Sequence, residues 1–127
     1  MTKNESGKVF STTERVQSIR YAVQGIAYML KTQHNAWLHL AITLAVFVVG
    51  WRLHIRTEDW RWLIVAIVLV WFAEAMNTAF EFVCDIVSPE FHPSVKKAKD
   101  IAAGGVLLCA AGAVVLGVIT FIPYVTN

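Results

Sequence analysis

The sequence predicts an all-α membrane protein, with an amphipathic amino-terminal surface helix followed by three transmembrane helices. Composition, the placement of apolar residues and the placement of charge predict it. Apolar residues make up 57% of the 127 and charged residues 16%, against about 45–50% and about 25% in a typical soluble domain. The excess is gathered into three blocks, Trp37–Ile55, Trp62–Val87 and Ile101–Ile122. Each is long enough to cross a hydrocarbon layer of about 30 Å as a helix. Residues 1–10 read as a disordered tail and 11–127 as one domain, with no room for a second. This arithmetic excludes a disordered chain, a secreted disulfide scaffold and a nucleic-acid module. Cys84 and Cys109 lie in separate spans without CxxC spacing, so neither a disulfide nor a thiolate metal pair is expected.

The elements follow in order. Ser11 and Glu14 have capping-box spacing and open a helix over about residues 12–32. Val16, Ile19, Val23, Ile26 and Leu30 form its apolar stripe, while Arg15, Gln17, Arg20, Gln24 and Lys31 take the other faces. Such a helix lies in the membrane interface or packs on the other spans from the aqueous side. The first span covers about 36–55, the second 62–87 and the third 100–122. Trp37, Trp51, Trp60 and Trp62 flank the first two spans as an aromatic belt does. His54–Arg61 is the outer turn, and Ser88–Lys99 is an inner loop broken by Pro89 and Pro93. In the third span Gly105, Cys109, Ala113 and Gly117 recur every fourth residue. That spacing suits close packing against a helix of this chain or of another copy.

Charge sets the orientation. Lys3, Lys8, Arg15, Arg20 and Lys31 precede the first span, and Lys96, Lys97 and Lys99 lie between the second and third. These eight share one side of a three-span chain, against Arg52, Arg56 and Arg61 on the other. The positive-inside rule places the amino terminus in the cytoplasm. The polar opening Met1–Lys8 lacks a secretory signal.

The second span carries an anomaly. Glu74, Asn77, Glu81 and Asp85 are spaced by three, four and four residues, which gathers them within an arc of roughly 80° on a helix. The eleven Leu, Ile, Val and Phe residues between Trp62 and Val83 favour insertion by roughly 3–7 kcal/mol. Each mid-span Glu costs on the order of 3 kcal/mol, so Glu74 and Glu81 nearly cancel that gain. The stripe must face protein, water or a cation. Three uses compete: helix packing, an ion pathway, and a metal-assisted site. Lys96, Lys97, Lys99 and Asp100 stand on the same side as Glu81 and Asp85. Carboxylates for Mg²⁺ beside lysines for phosphate are what phosphoryl transfer needs, whereas an ion path has no obvious use for the lysines. Lysines at a membrane edge also serve as topology markers and lipid-headgroup contacts, the reading favoured for Lys96. A nucleotide-binding P-loop and a kinase-type Gly-rich motif are both missing from the sequence.

Glu74-x-x-Asn77-x-Ala79-x-Glu81-x-x-x-Asp85, followed by Ala98-Lys99-Asp100 and an Ala/Gly-rich span, resembles the small prokaryotic diacylglycerol kinase and undecaprenol kinase family. The likeness covers about residues 14–122. It implies a homotrimer in the bacterial cytoplasmic membrane that phosphorylates a lipid hydroxyl from ATP with Mg²⁺. By this likeness Glu74 is the general base, Glu81 a metal ligand that also faces the nucleotide, and Asn77 and Asp85 shape the site. Lys99 and Asp100 contact the nucleotide phosphates, Glu90-Phe91-His92 form the nucleotide loop, and Tyr21 helps hold the nucleotide. One departure stands out. Gln33 occupies the place of a second metal-binding Glu, and a neutral amide is the weaker ligand for a hard cation. Either His34, Asn35 or His39 compensates or the second metal is held less tightly, and His39 is equally an ordinary interfacial histidine. Asn35-Ala36-Trp37-Leu38-His39 resembles the undecaprenol kinase branch. Lipid-phosphate hydrolysis at the same site, or a non-catalytic oligomer, are the alternative readings.

Overall fold

A computed structural model describes residues 12–126; the tail and the Ser11 half of the capping box lie outside the described residues. Four helices follow in order: α1 Thr12–Thr32, α2 His34–Arg52, α3 Thr57–Val87 and α4 Pro93–Thr126. The last three are long and apolar enough to cross a membrane. Their apolar side chains face outward: Val68 and Phe72 on α3 and Leu107, Leu108, Val114 and Ile119 on α4 are each more than half exposed. An apolar surface of this extent on three span-length helices is favourable against lipid. This is a membrane protein.

Helix α1 meets the expected bounds. Its stripe residues Val16, Ile19, Val23 and Ile26 stay exposed and only Met29 is buried, so the stripe does not pack on the other helices of this chain. A single residue, Gln33, separates α1 from α2, in extended geometry (φ −106°, ψ 115°). Helix α2 ends at Arg52, three residues short of expectation, because His54 turns left-handed (φ 49°), a conformation His tolerates better than most non-glycine residues.

Two further boundaries differ from the sequence reading. Helix α3 starts at Thr57, with Glu58 and Asp59 in its first turn, where acidic groups complement the helix dipole. Its 31 residues span roughly 46 Å, well beyond the hydrocarbon thickness. The inner loop ends not at Lys99 but before Pro93, which opens α4. Proline suits a first helical position because its missing N–H has no partner to lose there. Lys96, Lys97, Lys99 and Asp100 are therefore helical residues with fixed directions. Trp60 is also corrected: it is not a lipid-facing anchor but stacks on Phe47, ring centroids 5.4 Å apart. Trp37, Trp51 and Trp62 do remain exposed.

Helix α3 is the centre of the packing. It lies against α4 along most of its length and against α2 more briefly, and α1 crosses both α2 and α3. Its buried face runs through Leu63, Ala66, Val70, Glu74, Asn77, Thr78 and Cys84. One continuous face therefore changes from apolar to polar halfway along. Helix α4 buries Val106 and Thr120 against it. The small residues of α4 are not in tight contact within the chain: a Cβ added at Gly105 or Gly117 would meet no atom within 4 Å.

Candidate active site

The site grows from the polar half of α3. Glu74 is 1% exposed, Asn77 8% and Thr78 4%, whereas Glu81 is half-buried and Asp85 exposed. The stripe thus climbs from protein interior to surface over eleven residues, about 16 Å of helix. Asn77 Nδ2 donates to Glu81 Oε1 at 3.3 Å, which ties the two middle members together. Glu74 Oε2, Asn77 Oδ1 and Thr78 Oγ1 are buried without a hydrogen-bond partner. Unpaired buried oxygens are costly, and they concentrate where a ligand completes the set.

Two neighbouring helices bring partners. From α4, Lys99 Nζ reaches Asp85 Oδ1, so the exposed end of the stripe carries a cation from a second helix. Asp100 is paired within α4, with Lys96 Nζ at 2.5 Å. From α2, His39 Nε2 stands 3.6 Å from Glu74 Oε2, and both side chains are nearly buried.

The remaining expected residues are more scattered. Tyr21 is exposed on α1, its hydroxyl accepting from Gln17 Nε2 at 2.8 Å. Glu90, Phe91 and His92 are exposed in the α3–α4 connection. There Ser88 Oγ donates to the Glu90 carbonyl, and His92 Nδ1 accepts the Ser94 N–H at 3.2 Å. That last contact makes His92 the amino-terminal cap of α4. Among the described residues no hydrogen bond or ion pair links Tyr21, Gln33 or residues 90–92 to the stripe. Gln33 makes no side-chain cap with α2, so its amide is not committed to helix capping.

The donor set suits a magnesium ion held together with phosphate. Among the described residues no three His, Cys, Asp or Glu side chains form a closed metal cluster. What stands ready is a half-buried carboxylate, Glu81, beside the unpaired amide oxygen of Asn77. Magnesium takes one or two protein oxygens and fills its shell with phosphate and water, so the residues fit.

An open cleft of about 670 Å³ between α1 and α3, lined by Ala22, Ile26, Met29, Ala75, Thr78 and Phe82, flanks the stripe. An apolar cleft beside buried polar groups suits an amphipathic molecule that brings its own hydroxyl. The family model of prokaryotic diacylglycerol kinases matches residues 20–121.

The chain belongs to the prokaryotic diacylglycerol kinase family.

Its relatives span both branches of that family. An undecaprenol kinase of Bacillus subtilis is 30% identical over 121 residues, covering 95% of this chain and 94% of the relative. A diacylglycerol kinase of Synechocystis is 38% identical over 107 residues, 84% of this chain and 61% of the longer relative. A diacylglycerol kinase of Escherichia coli K12 is 29% identical over 107 residues. Membership makes the chain a lipid kinase. Sequence reasoning read His39 as a substitute metal ligand or an ordinary interfacial histidine, and it did not identify Trp71, whose indole Nε1 donates to Thr43 Oγ1 at 3.1 Å. A signal for both was present: His39 and Thr43, four residues apart, form a short polar stripe on apolar α2.

Proposed function

We propose that this lipid kinase transfers the γ-phosphoryl group of ATP, with Mg²⁺, to the hydroxyl of diacylglycerol or undecaprenol. The reaction would take place at the cytoplasmic face of the bacterial inner membrane and supply phospholipid or carrier-lipid metabolism. The observation that carries the reading is Glu74, a buried carboxylate with an unpaired oxygen on a membrane helix whose polar face leads outward to Glu81, Asp85 and Lys99. The basic residues on the amino-terminal side of the spans support the orientation. The open small-residue face of α4 supports assembly into a homotrimer.

The proposed chemistry is direct transfer. The acceptor hydroxyl enters the α1–α3 cleft with its apolar body against Ile26, Met29 and Phe82. Its oxygen attacks the γ-phosphorus, the bond from that phosphorus to the bridging oxygen of ADP breaks, and Glu74 takes the hydroxyl proton. Lys99 turns from Asp85 to the nucleotide phosphates, with Asp100 beside it, and Tyr21 and residues 90–92 hold the rest of the nucleotide. Glu81 and Asn77, with Gln33 from the α1–α2 break, would hold the magnesium ion, which neutralises phosphate charge when bound.

The test is transfer of labelled γ-phosphate to diacylglycerol and undecaprenol in mixed micelles, with and without Mg²⁺. Labelled lipid formed only with Mg²⁺ supports the reading and ranks the acceptors. Absence of labelled lipid from either acceptor, with folded protein, would overturn it.

A further inference from the structure

His39 is the one titratable side chain that another helix brings against Glu74 among the described ion pairs. It lies in the second turn of α2, 12% exposed, with its Nε2 directed at the carboxylate oxygen that has no hydrogen-bond partner. Its ring is itself held. Trp71, on α3 one turn before Glu74, meets it edge-on, with centroids 6.4 Å apart and planes at 64°. Trp71 is fixed in turn by its hydrogen bond to Thr43 Oγ1, which returns the contact to α2 one turn beyond His39. His39, Trp71 and Thr43 therefore form a closed bracket between two helices, and its free end rests on Glu74.

We infer that His39 is a positioning residue for Glu74. It donates from Nε2 to Oε2, so that Oε2 is engaged and the other carboxylate oxygen is left to accept the proton of the lipid hydroxyl. The inference rests on the reading of Glu74 as the base. Physical chemistry supports it: a carboxylate inside a membrane helix needs a donor, and the hydrogen bond that Asn77 Nδ2 makes goes to Glu81, not to Glu74. The 3.6 Å separation closes to a hydrogen bond when the acceptor seats, as contacts of this kind commonly tighten in the reacting complex. It also removes His39 from the ligands that would compensate for Gln33, because its Nε2 is directed at the base.

The experiment compares His39→Leu, His39→Asn and His39→Gln as full-length protein, with kcat and the KM for ATP measured per nucleotide-binding site. Gln carries an amide N–H to roughly the place of Nε2, whereas Asn stops short of it. His39→Leu and His39→Asn should lower kcat about 10- to 100-fold with the KM for ATP unchanged, and His39→Gln should recover most of the loss. In a Glu74→Gln background, His39→Asn should add little further loss, because the two act as a unit. Unchanged kcat in His39→Asn, a His39→Gln as impaired as His39→Asn, or fully additive losses would each overturn the inference. If Leu prevents folding, the Asn and Gln pair still decides it. The single Glu74→Gln variant separates the failures: full turnover there removes the base itself, whereas its inactivity beside a fully active His39→Asn removes only the role of His39.

Discussion

The two ends of α3 are built from opposite materials. At the α2–α3 turn, among the described residues, no buried side-chain polar atom lacks a hydrogen-bond partner. Tyr124 Oη donates to Asp59 Oδ2 at 2.5 Å and accepts the Arg56 N–H at 3.0 Å, which latches the end of α4 onto the turn. Gly50 is buried beneath Trp60, and Ile55 closes the gap beside them. At the other end the same helix face presents Glu74, Asn77 and Thr78 with unpaired oxygens, a cleft, and an exposed connection to α4. A satisfied joint holds the helices in register; an unsatisfied one has capacity left for a ligand. The contrast assigns stability to the turn and chemistry to the carboxylate end.

Substitutions at the two ends should therefore fail in different ways. The largest effect is expected at the base: Glu74→Gln should lower kcat by about 10²- to 10⁴-fold while nucleotide binding, read by equilibrium titration, is kept. A loss of folded protein instead of turnover would make the stripe structural and erase the contrast. Next is Lys99→Met, which removes the cation supplied by α4 and should raise the KM for ATP by about tenfold or more. An unchanged KM would restrict Lys99 to holding Asp85.

At the turn, Gly50→Ala should act on stability alone. Its Cβ would stand 2.7 Å from Trp60 Cη2, and that ring is already stacked on Phe47. Overpacking of this kind costs about 1–3 kcal/mol, visible as a lower thermal midpoint in detergent with kcat per folded protein unchanged. Tyr124→Phe is the mildest of the four. It removes the hydroxyl of the latch and should lower the midpoint less than Gly50→Ala, again without touching turnover. Loss of kcat from either turn variant would mean that the two ends are coupled through α3.

Much of the architecture was legible before any coordinates, because helix formation is read from local periodicity. The surface helix was placed at its observed bounds from the spacing of Val16, Ile19, Val23 and Ile26, and the three spans from length and apolarity. Boundaries were less legible. Pro93 reads in sequence as a loop residue, yet a proline at a first helical position and one that breaks a helix look alike until the direction of the chain is known. Trp60 failed differently. An aromatic at a span end is a belt residue or a packing residue according to whether a neighbour leaves space for it, and Gly50 does.

By itself the sequence determined that Glu74, Asn77, Glu81 and Asp85 share one face, since 3.6 residues per turn is a property of the backbone. It also carried the family motif and the apolar lengths that require a membrane. Only the tertiary structure decided which stripe members are buried and who meets them. His39 reaches Glu74 across 35 positions of sequence, Lys99 reaches Asp85 across 14, and Tyr124 reaches Asp59 across 65. Pairings between helices depend on rotation and crossing, which the packing of whole helix surfaces sets and no local spacing encodes.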